Sequence, residues 1–153
     1  MTMTVESETT LSVTNITSHR GIVAIVDDDP QVSRALGLWL DLQGLRAVHH
    51  ISGESLLQSI HQDNGVLTLR FGVTNPVVMP LVGAVLDLNL PGITGFELAK
   101  ALRGLSPTLP MAVITALREE ERVRYGTLPP GIRCLKKPFD LDVLEDALFP
   151  LLH

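Results

Sequence analysis

The stretch that most strongly indicates the fold is residues 21–30, which read GIVAIVDDDP. The run from Gly21 to Val26 has no polar interruption, which is typical of a strand buried on both faces, as in a parallel sheet. Three aspartates end the run, and Pro30 follows where the first turn of a helix would begin. We therefore predict a strand that leads into a helix through an acidic turn.

The same pair of a buried strand and a following helix repeats along the chain. Four further strands are predicted, at residues 45–50, 82–86, 110–114 and 132–135. The predicted helices cover residues 30–43, 52–60, 95–105, 118–125 and 141–152. This strict alternation predicts an α/β fold, a doubly wound parallel sheet with helices on both faces. Ligands of such folds bind at the carboxyl ends of the strands.

Residues 61–81 do not fit this alternation. Asp63-Asn64-Gly65 is a turn signal, and the alternating apolar residues from Leu67 to Val73 predict a half-exposed strand. We interpret the segment as an insertion between the second helix and the third strand that pairs with a sheet edge or shields apolar surface. A partner-binding role is the alternative.

The composition is that of a globular and acidic protein. Of 153 residues, 45% are hydrophobic and 19% are charged, which excludes disorder throughout the chain. The formal net charge of −5 argues against a protein that wraps nucleic acid or lies on an anionic membrane, and the single cysteine excludes an intramolecular disulfide framework. No segment has the pattern of a targeting signal or a membrane span, so we predict a soluble, cytoplasmic protein.

Two regions are predicted from the distribution of residue types. Residues 1–19 are rich in serine and threonine and contain few residues able to pack a core, so we predict a flexible arm. Residues 20–153 have the length and the apolar content of a single domain.

Polar residues stand at the ends of the predicted strands. Asp27 and Asp28 follow the first strand, Asp87 the third, Thr115 the fourth and Lys137 the fifth. Because these ends share one edge of a parallel sheet, we expect the side chains to converge. Clustered carboxylates repel one another unless a cation neutralises them, and Mg²⁺ prefers oxygen ligands. An aspartate in such a site can attack phosphorus, while a lysine and a hydroxyl stabilise the phosphoryl oxygens.

These residues belong to four segments that together resemble a known family. The segments are IVDDDP at residues 25–30, LDLNLPGITG at 86–95, ITA at 114–116 and KKPF at 136–139. In this order they resemble the receiver domains of two-component response regulators, over about residues 20–152. The resemblance implies a flavodoxin-like sheet of five parallel strands in the order 2-1-3-4-5 with five helices, to which the insertion is added.

The resemblance implies a metal site and a phosphoacceptor. Asp87 matches the family's phosphoacceptor. Asp28 matches a direct Mg²⁺ ligand, and Asp27 matches a ligand that acts mainly through water. Asn89, two residues after the acceptor, matches the residue that offers its backbone carbonyl to the metal.

The remaining matches concern the switch. Thr115 matches the hydroxyl that moves toward the phosphoryl group, and Lys137 matches the phosphate-binding lysine, whose bond to Pro138 is cis in the family. Cys134 departs from the pattern, because many receivers carry an aromatic residue at this position. A cysteine cannot swing a large ring, so the coupling between hydroxyl and aromatic residue is not expected here.

The resemblance implies a signalling protein and not an enzyme. It would take a phosphoryl group from a sensor histidine kinase or a histidine phosphotransfer protein onto Asp87, with Mg²⁺. Phosphorylation would then change its contacts with a downstream protein, with a homodimer as a further possibility and without direct nucleic-acid or membrane binding. The alternative is a degenerate receiver that binds proteins without phosphorylation, which Cys134, the insertion and an unusual fourth helix favour.

Overall fold

The computed structural model describes residues 19–148. The predicted flexible arm, apart from His19, lies outside the described residues, and so does the end of the predicted last helix.

The described residues form seven strands and five α-helices, which alternate along the chain except for three consecutive strands in the middle. The strands are β1 (Ile22–Val26), β2 (Arg46–His50), β3 (Ile60–Asp63), β4 (Val66–Phe71), β5 (Val77–Asp87), β6 (Met111–Thr115) and β7 (Arg133–Lys136). The helices are α1 (Pro30–Leu42), α2 (Gly53–Ser59), α3 (Gly95–Leu105), α4 (Glu119–Arg122) and α5 (Leu141–Ala147). A 3₁₀ turn, Val123–Tyr125, continues α4 directly. None of the helices in residues 19–148 has the length and apolar character needed to cross a membrane.

Five of the strands are parallel and form the centre of the sheet. Their order is β2-β1-β5-β6-β7, which confirms the order 2-1-3-4-5 predicted for the parallel strands. Every residue of β1 and β6 is buried, as expected for apolar strands that are covered on both faces. Alternate residues of β1 therefore join different cores. Ile22, Ala24 and Val26 pack with α2 and α3, whereas Val23 and Ile25 pack with α1 and α5.

The insertion forms the two extra strands. β3 and β4 make a hairpin whose two-residue turn is Asn64-Gly65, with φ angles of 53° and 80°, as turns of this kind require. β4 then pairs antiparallel with residues 77–80 of β5. The sequence predicted pairing with a sheet edge, whereas the partner in the structure is a long strand from the centre of the sheet. β5 begins at Val77, earlier than residue 82, where the apolar pattern placed its start. This extension pairs with β4, and β4 pairs with β3, so the sheet has seven strands. Leu67 and Leu69 are buried in the core, so the segment also shields apolar surface, as predicted.

Side-chain caps begin two of the helices that follow strands of the site, α1 and α3. Asp29 caps α1, since its Oδ1 accepts a hydrogen bond of 3.0 Å from the backbone N–H of Gln31. Thr94 and Glu97 form a reciprocal capping box at the start of α3. These caps place the start of each helix directly behind the polar residues at the end of the preceding strand.

Candidate functional site

Three carboxylates meet at the carboxyl edge of the parallel sheet. Asp27 and Asp28 follow β1, and Asp87 is the last residue of the neighbouring β5. Val26 pairs with Leu86, so the residues that follow them, Asp27 and Asp87, lie side by side. One carboxylate oxygen from each of the three aspartates lies within 4.8 Å of the other two. The structure therefore brings together the acidic residues that the sequence placed at strand ends.

Lys137 joins two of these carboxylates. Its Nζ donates to Asp27 Oδ2 at 3.1 Å and to Asp87 Oδ2 at 3.2 Å. The residue follows β7, where its backbone N–H donates to the carbonyl of Thr115 at 2.7 Å, and its bond to Pro138 is cis. The side chain of Asp27 is fully buried and that of Lys137 is 20% exposed, so this ion pair is largely shielded from solvent.

The site carries more negative than positive charge. Burial raises the pKa of the Asp87 carboxyl and the charge of Asp27 raises it further, against the opposing effects of the Asn89 N–H and Lys137. Burial on its own lowers the pKa of Lys137, but hydrogen bonds and charges from Asp27 and Asp87 outweigh it, so that the pKa is raised. Three carboxylates and one ammonium group leave two formal negative charges.

The donor set fits a hard divalent cation. It consists of carboxylate oxygens, which Mg²⁺ prefers, and it has an excess of charge that a dication would balance. Two of the oxygens already accept backbone hydrogen bonds. Asp27 Oδ1 accepts from the N–H of Asp29 at 2.9 Å, and Asp87 Oδ1 accepts from the N–H of Asn89 at 3.0 Å. These bonds set the orientation of the two carboxylates.

Thr115 and Asn89 lie at the same edge of the sheet. Thr115 is fully buried at the end of β6, one residue beyond Ile114, which pairs with Asp87. Its Oγ1 accepts a hydrogen bond of 3.1 Å from the N–H of Leu117. Asn89 is exposed and lies two residues beyond Asp87, the last residue of β5. The structure thus places all six predicted site residues at one edge, and their roles in phosphoryl transfer remain predictions.

Tyr125 is a neighbour of the site that the sequence did not reveal. Its hydroxyl donates to Asn89 Oδ1 at 3.0 Å, across 36 positions of the chain. Tyr125 is the last residue of the helix predicted at residues 118–125. The spacing of residues within that helix does not indicate a contact with Asn89. The signal that could have drawn attention to it is that Tyr125 is the only tyrosine and lies shortly after the Thr115 strand.

Cys134 lies on β7 behind this edge. The thiol is half-buried, and burial raises its pKa, although the charge of Arg122 acts in the opposite direction. A raised pKa disfavours the reactive thiolate. The side chain packs against the hydrophobic core that β1 shares with α2 and α3.

Comparison with known proteins bears on this arrangement. Residues 80–149 match the sequence model described as the response regulator receiver domain. The chain is 26% identical over 123 residues to a cyclic di-GMP phosphodiesterase of Thermotoga maritima, an alignment that covers 80% of this chain and 28% of that protein. It is also 26% identical over 124 residues to the DNA-binding transcriptional regulator NtrC of Escherichia coli K12, covering 81% of this chain and 23% of that protein. The chain therefore spans about a quarter of the length of these two relatives.

A solved structure has a similar fold. The crystal structure of a sensor protein from Polaromonas sp. JS666 superposes with a TM-score of 0.63 at 26% sequence identity. The match covers 87% of this chain and 96% of that one.

Proposed function

The chain belongs to the response regulator receiver domains, and from this premise we propose that it accepts a phosphoryl group on Asp87 and changes its protein contacts in response. The observation that carries the proposal is the contact of Lys137 with Asp27 and Asp87, in a cluster that also includes Asp28. An isolated ion pair would not require a third carboxylate beside it. A site that receives a metal and a phosphoryl group would.

The chemistry is a displacement at phosphorus. An oxygen of the Asp87 carboxylate attacks the phosphorus atom of a donor, and a new O–P bond forms. The bond from phosphorus to the donor breaks, and the donor nitrogen of a phosphohistidine or the acyl oxygen of acetyl phosphate keeps the electron pair. Lys137 would contact one equatorial oxygen of the phosphoryl group, and the hydroxyl of Thr115 would donate to another.

Mg²⁺ would be held by the carboxylates of Asp27, Asp28 and Asp87 and by the backbone carbonyl of Asn89. When bound, it supplies positive charge that offsets the repulsion between the carboxylates and the incoming phosphoryl oxygens. The residues present fit this ion, because the donors are oxygens and Lys137 offsets only one of the three negative charges.

The partners follow from the same premise. We propose a sensor histidine kinase or a histidine phosphotransfer protein as the phosphoryl donor, and a downstream protein as the target of the phosphorylated face. A role as an enzyme is not part of the proposal, because receiver domains act as signalling domains. The phosphodiesterase activity in the name of the Thermotoga maritima relative belongs to a protein of which the match covers 28%.

The test is intact-mass spectrometry after incubation with acetyl phosphate, with and without Mg²⁺. We expect one phosphoryl adduct on the wild type that requires Mg²⁺, and none on Asp87→Asn. Asp29→Asn is the matched control, because it removes one negative charge close to the site and asparagine caps a helix as well as aspartate does. It should form the adduct.

Absence of an adduct on the wild type, together with absence of Mg²⁺ binding, would overturn the proposal. The alternative of a phosphorylation-independent protein-binding module would then be favoured. The insertion, the half-buried Cys134 and the short fourth helix, Glu119–Arg122, are the features that favour this alternative.

A further inference from the structure

Tyr125 reaches from the end of the α4 segment, residues 119–125, to the loop that follows Asp87. Its hydroxyl donates to Asn89 Oδ1 at 3.0 Å and accepts from Arg124 Nη2 at 3.3 Å. The ring meets the Phe96 ring edge-on, with centroids 6.4 Å apart, and the Arg124 guanidinium lies 5.1 Å from its centroid. Contacts on several sides therefore fix the direction of the hydroxyl.

Asn89 transmits this contact to the acceptor aspartate. Its backbone N–H donates to Asp87 Oδ1 at 3.0 Å while its side-chain oxygen accepts from Tyr125. The two hydrogen bonds connect Asn89 to Asp87 through its backbone and to Tyr125 through its side chain. A movement of the Asn89 backbone relative to Asp87 thus changes the distance from its amide oxygen to the tyrosine hydroxyl.

The middle of the α4 segment is tied to Thr115 through Leu117. Arg122 Nε donates to the carbonyl of Leu117 at 3.1 Å, and Arg122 Nη1 donates to the carbonyl of Cys134 at 3.4 Å. Leu117 in turn donates its N–H to Thr115 Oγ1. Two chains of contacts therefore connect the α4 segment to the site, one through Asn89 and one through Leu117.

We propose that the hydrogen bond between Tyr125 and Asn89 couples the α4 segment to the phosphorylation state of Asp87, by forming while Asp87 is a free carboxylate and breaking when it carries a phosphoryl group. This inference rests on the proposed function. Tyr125 is a positioning residue, since it contacts Asn89 and acts on Asp87 through it.

The physical reason is a competition for donors. An aspartyl phosphate carries about −1.5 to −2 charges in place of the single charge of the carboxylate, and it presents three strong acceptor oxygens. The Asn89 N–H, which already points at Asp87 Oδ1, turns toward the new oxygens, and the amide oxygen of Asn89 is repelled by them. The hydroxyl of Thr115, drawn to the same group, releases the Leu117 N–H and loosens the anchor of Arg122. Both ends of the contact to Tyr125 are thereby displaced.

The coupling has a defined direction and size. A bond present only in the free-carboxylate form opposes phosphorylation, and its removal favours the phosphorylated form by the net contribution of one hydrogen bond. That contribution corresponds to roughly a threefold to tenfold change in an equilibrium constant. Linkage is reciprocal, so a protein that binds only the released α4 segment must favour phosphorylation in the same way.

The test uses Tyr125→Phe, which keeps the ring and removes the hydroxyl. Beryllium trifluoride, a stable mimic of a phosphoryl group on aspartate, is titrated at saturating Mg²⁺ by calorimetry. We expect its affinity to rise about threefold to tenfold in the variant. Asn89→Ala removes the acceptor but keeps the backbone N–H and carbonyl, so it should give the same increase. The double variant should bind no more tightly than either single one.

A spectroscopic measurement follows the bond directly. Tyr125 is the only tyrosine, so ¹³Cζ-labelled tyrosine gives a single resonance, which should shift when beryllium trifluoride binds to the wild type. Thr68→Val is the control, because it deletes a hydroxyl in the distant hairpin. That hydroxyl donates to the carbonyl of His61 at 3.4 Å, and its loss should leave the affinity for beryllium trifluoride unchanged.

The outcomes separate the two proposals. A wild type that neither binds beryllium trifluoride nor forms a phosphoryl adduct overturns the proposed function. A wild type that binds it, with an unmoved Tyr125 resonance and an unchanged affinity in Tyr125→Phe, overturns the coupling alone. A lower affinity in Tyr125→Phe also overturns it, because the hydroxyl would then stabilise the phosphorylated form.

Discussion

At the residue scale, the main feature is the burial of Asp87 beside Asp27. One ammonium group, that of Lys137, contacts both carboxylates, and the pKa of Asp87 remains raised because burial outweighs its favourable partners. The ionised form is therefore held in the fold at a cost. A bound cation would lower this cost, because a nearby positive charge stabilises the ionised carboxylate.

A prediction follows for the metal-free protein. The pKa of Asp87 is higher in the folded than in the unfolded state, so its ionisation destabilises the fold as pH rises from its usual value of 3.8 through the raised folded value. We expect Asp87→Asn to raise the free energy of unfolding at pH 7 by roughly 0.5–2 kcal/mol, the usual range for a stabilising substitution. The gain should shrink as pH falls toward 4, as measured by urea unfolding with a chelator present.

The control for this prediction is Asp63→Asn, which removes an exposed carboxylate in β3. A surface change of this kind should alter stability by less than about 0.5 kcal/mol. A gain in Asp87→Asn that is the same at pH 4 and pH 7 would contradict the electrostatic explanation.

At the element scale, two features hold the site strands in place: the close approach of α3 to β5 and the packing of the hairpin. The N–H of Gly95, the first residue of α3, donates to the carbonyl of Leu88 at 2.9 Å. A Cβ at Gly95 would meet the backbone of Asp87 and lie 2.8 Å from the Leu88 Cα. Glycine at this position lets the helix begin directly against the end of β5.

We therefore expect opposite effects from two glycine substitutions in α3. Gly95→Ala must displace backbone and should cost about 1–3 kcal/mol, as overpacking commonly does, and it should slow phosphorylation. A Cβ added at Gly104 would meet no neighbouring atom of residues 19–148 within 4 Å outside its own helix, so Gly104→Ala should stabilise α3 by up to roughly 1 kcal/mol. Thermal unfolding of both variants checks this, and equal effects would refute the role of close approach at Gly95.

The hairpin is a structural part of the core according to its burial pattern. Leu69 is fully buried, whereas Val66 on the same strand is 51% exposed. Leu69→Ala should lower the free energy of unfolding by about 2–4 kcal/mol, and Val66→Ala should change it by less than about 1 kcal/mol. Urea unfolding gives both values. A small loss for Leu69→Ala would show that the hairpin is separate from the domain core.

At the scale of the whole molecule, the site depends on four strands at once. Asp27 and Asp28 come from β1, Asp87 from β5, Thr115 from β6 and Lys137 from the end of β7. A ligand that bridges these ends binds only the folded state, so it must stabilise the entire domain.

The corresponding prediction concerns Mg²⁺. Its addition should raise the melting temperature of the wild type, with a gain of about 2.7 kcal/mol at a concentration one hundred times the dissociation constant. Asp28→Asn should lose most of this gain, because it removes an exposed carboxylate of the cluster without disturbing the Lys137 contacts. Asp29→Asn should keep the gain. Differential scanning fluorimetry over a range of Mg²⁺ concentrations measures all three proteins, and equal gains would refute a site at Asp28.

The central architecture and the location of the site could both be predicted from the amino-acid sequence. Apolar runs such as Ile22–Val26 specify strands buried on both faces, and the polar residue that ends each run must lie at the common edge of a parallel sheet. The start of α1 could likewise be located from Asp29 and Pro30, because helix caps are local interactions. These conclusions depend on residues that are close in the chain.

Contacts between distant segments, by contrast, were visible in the folded molecule alone. Pro80 interrupts the apolar pattern, so the extension of β5 and its pairing with β4 could not be recognised in the sequence. The same holds for the hydrogen bond from Tyr125 to Asn89 and for the two carboxylates shared by Lys137. Register, burial and side-chain direction set these contacts, and they depend on how whole elements pack against one another and not on the residue types at any one position.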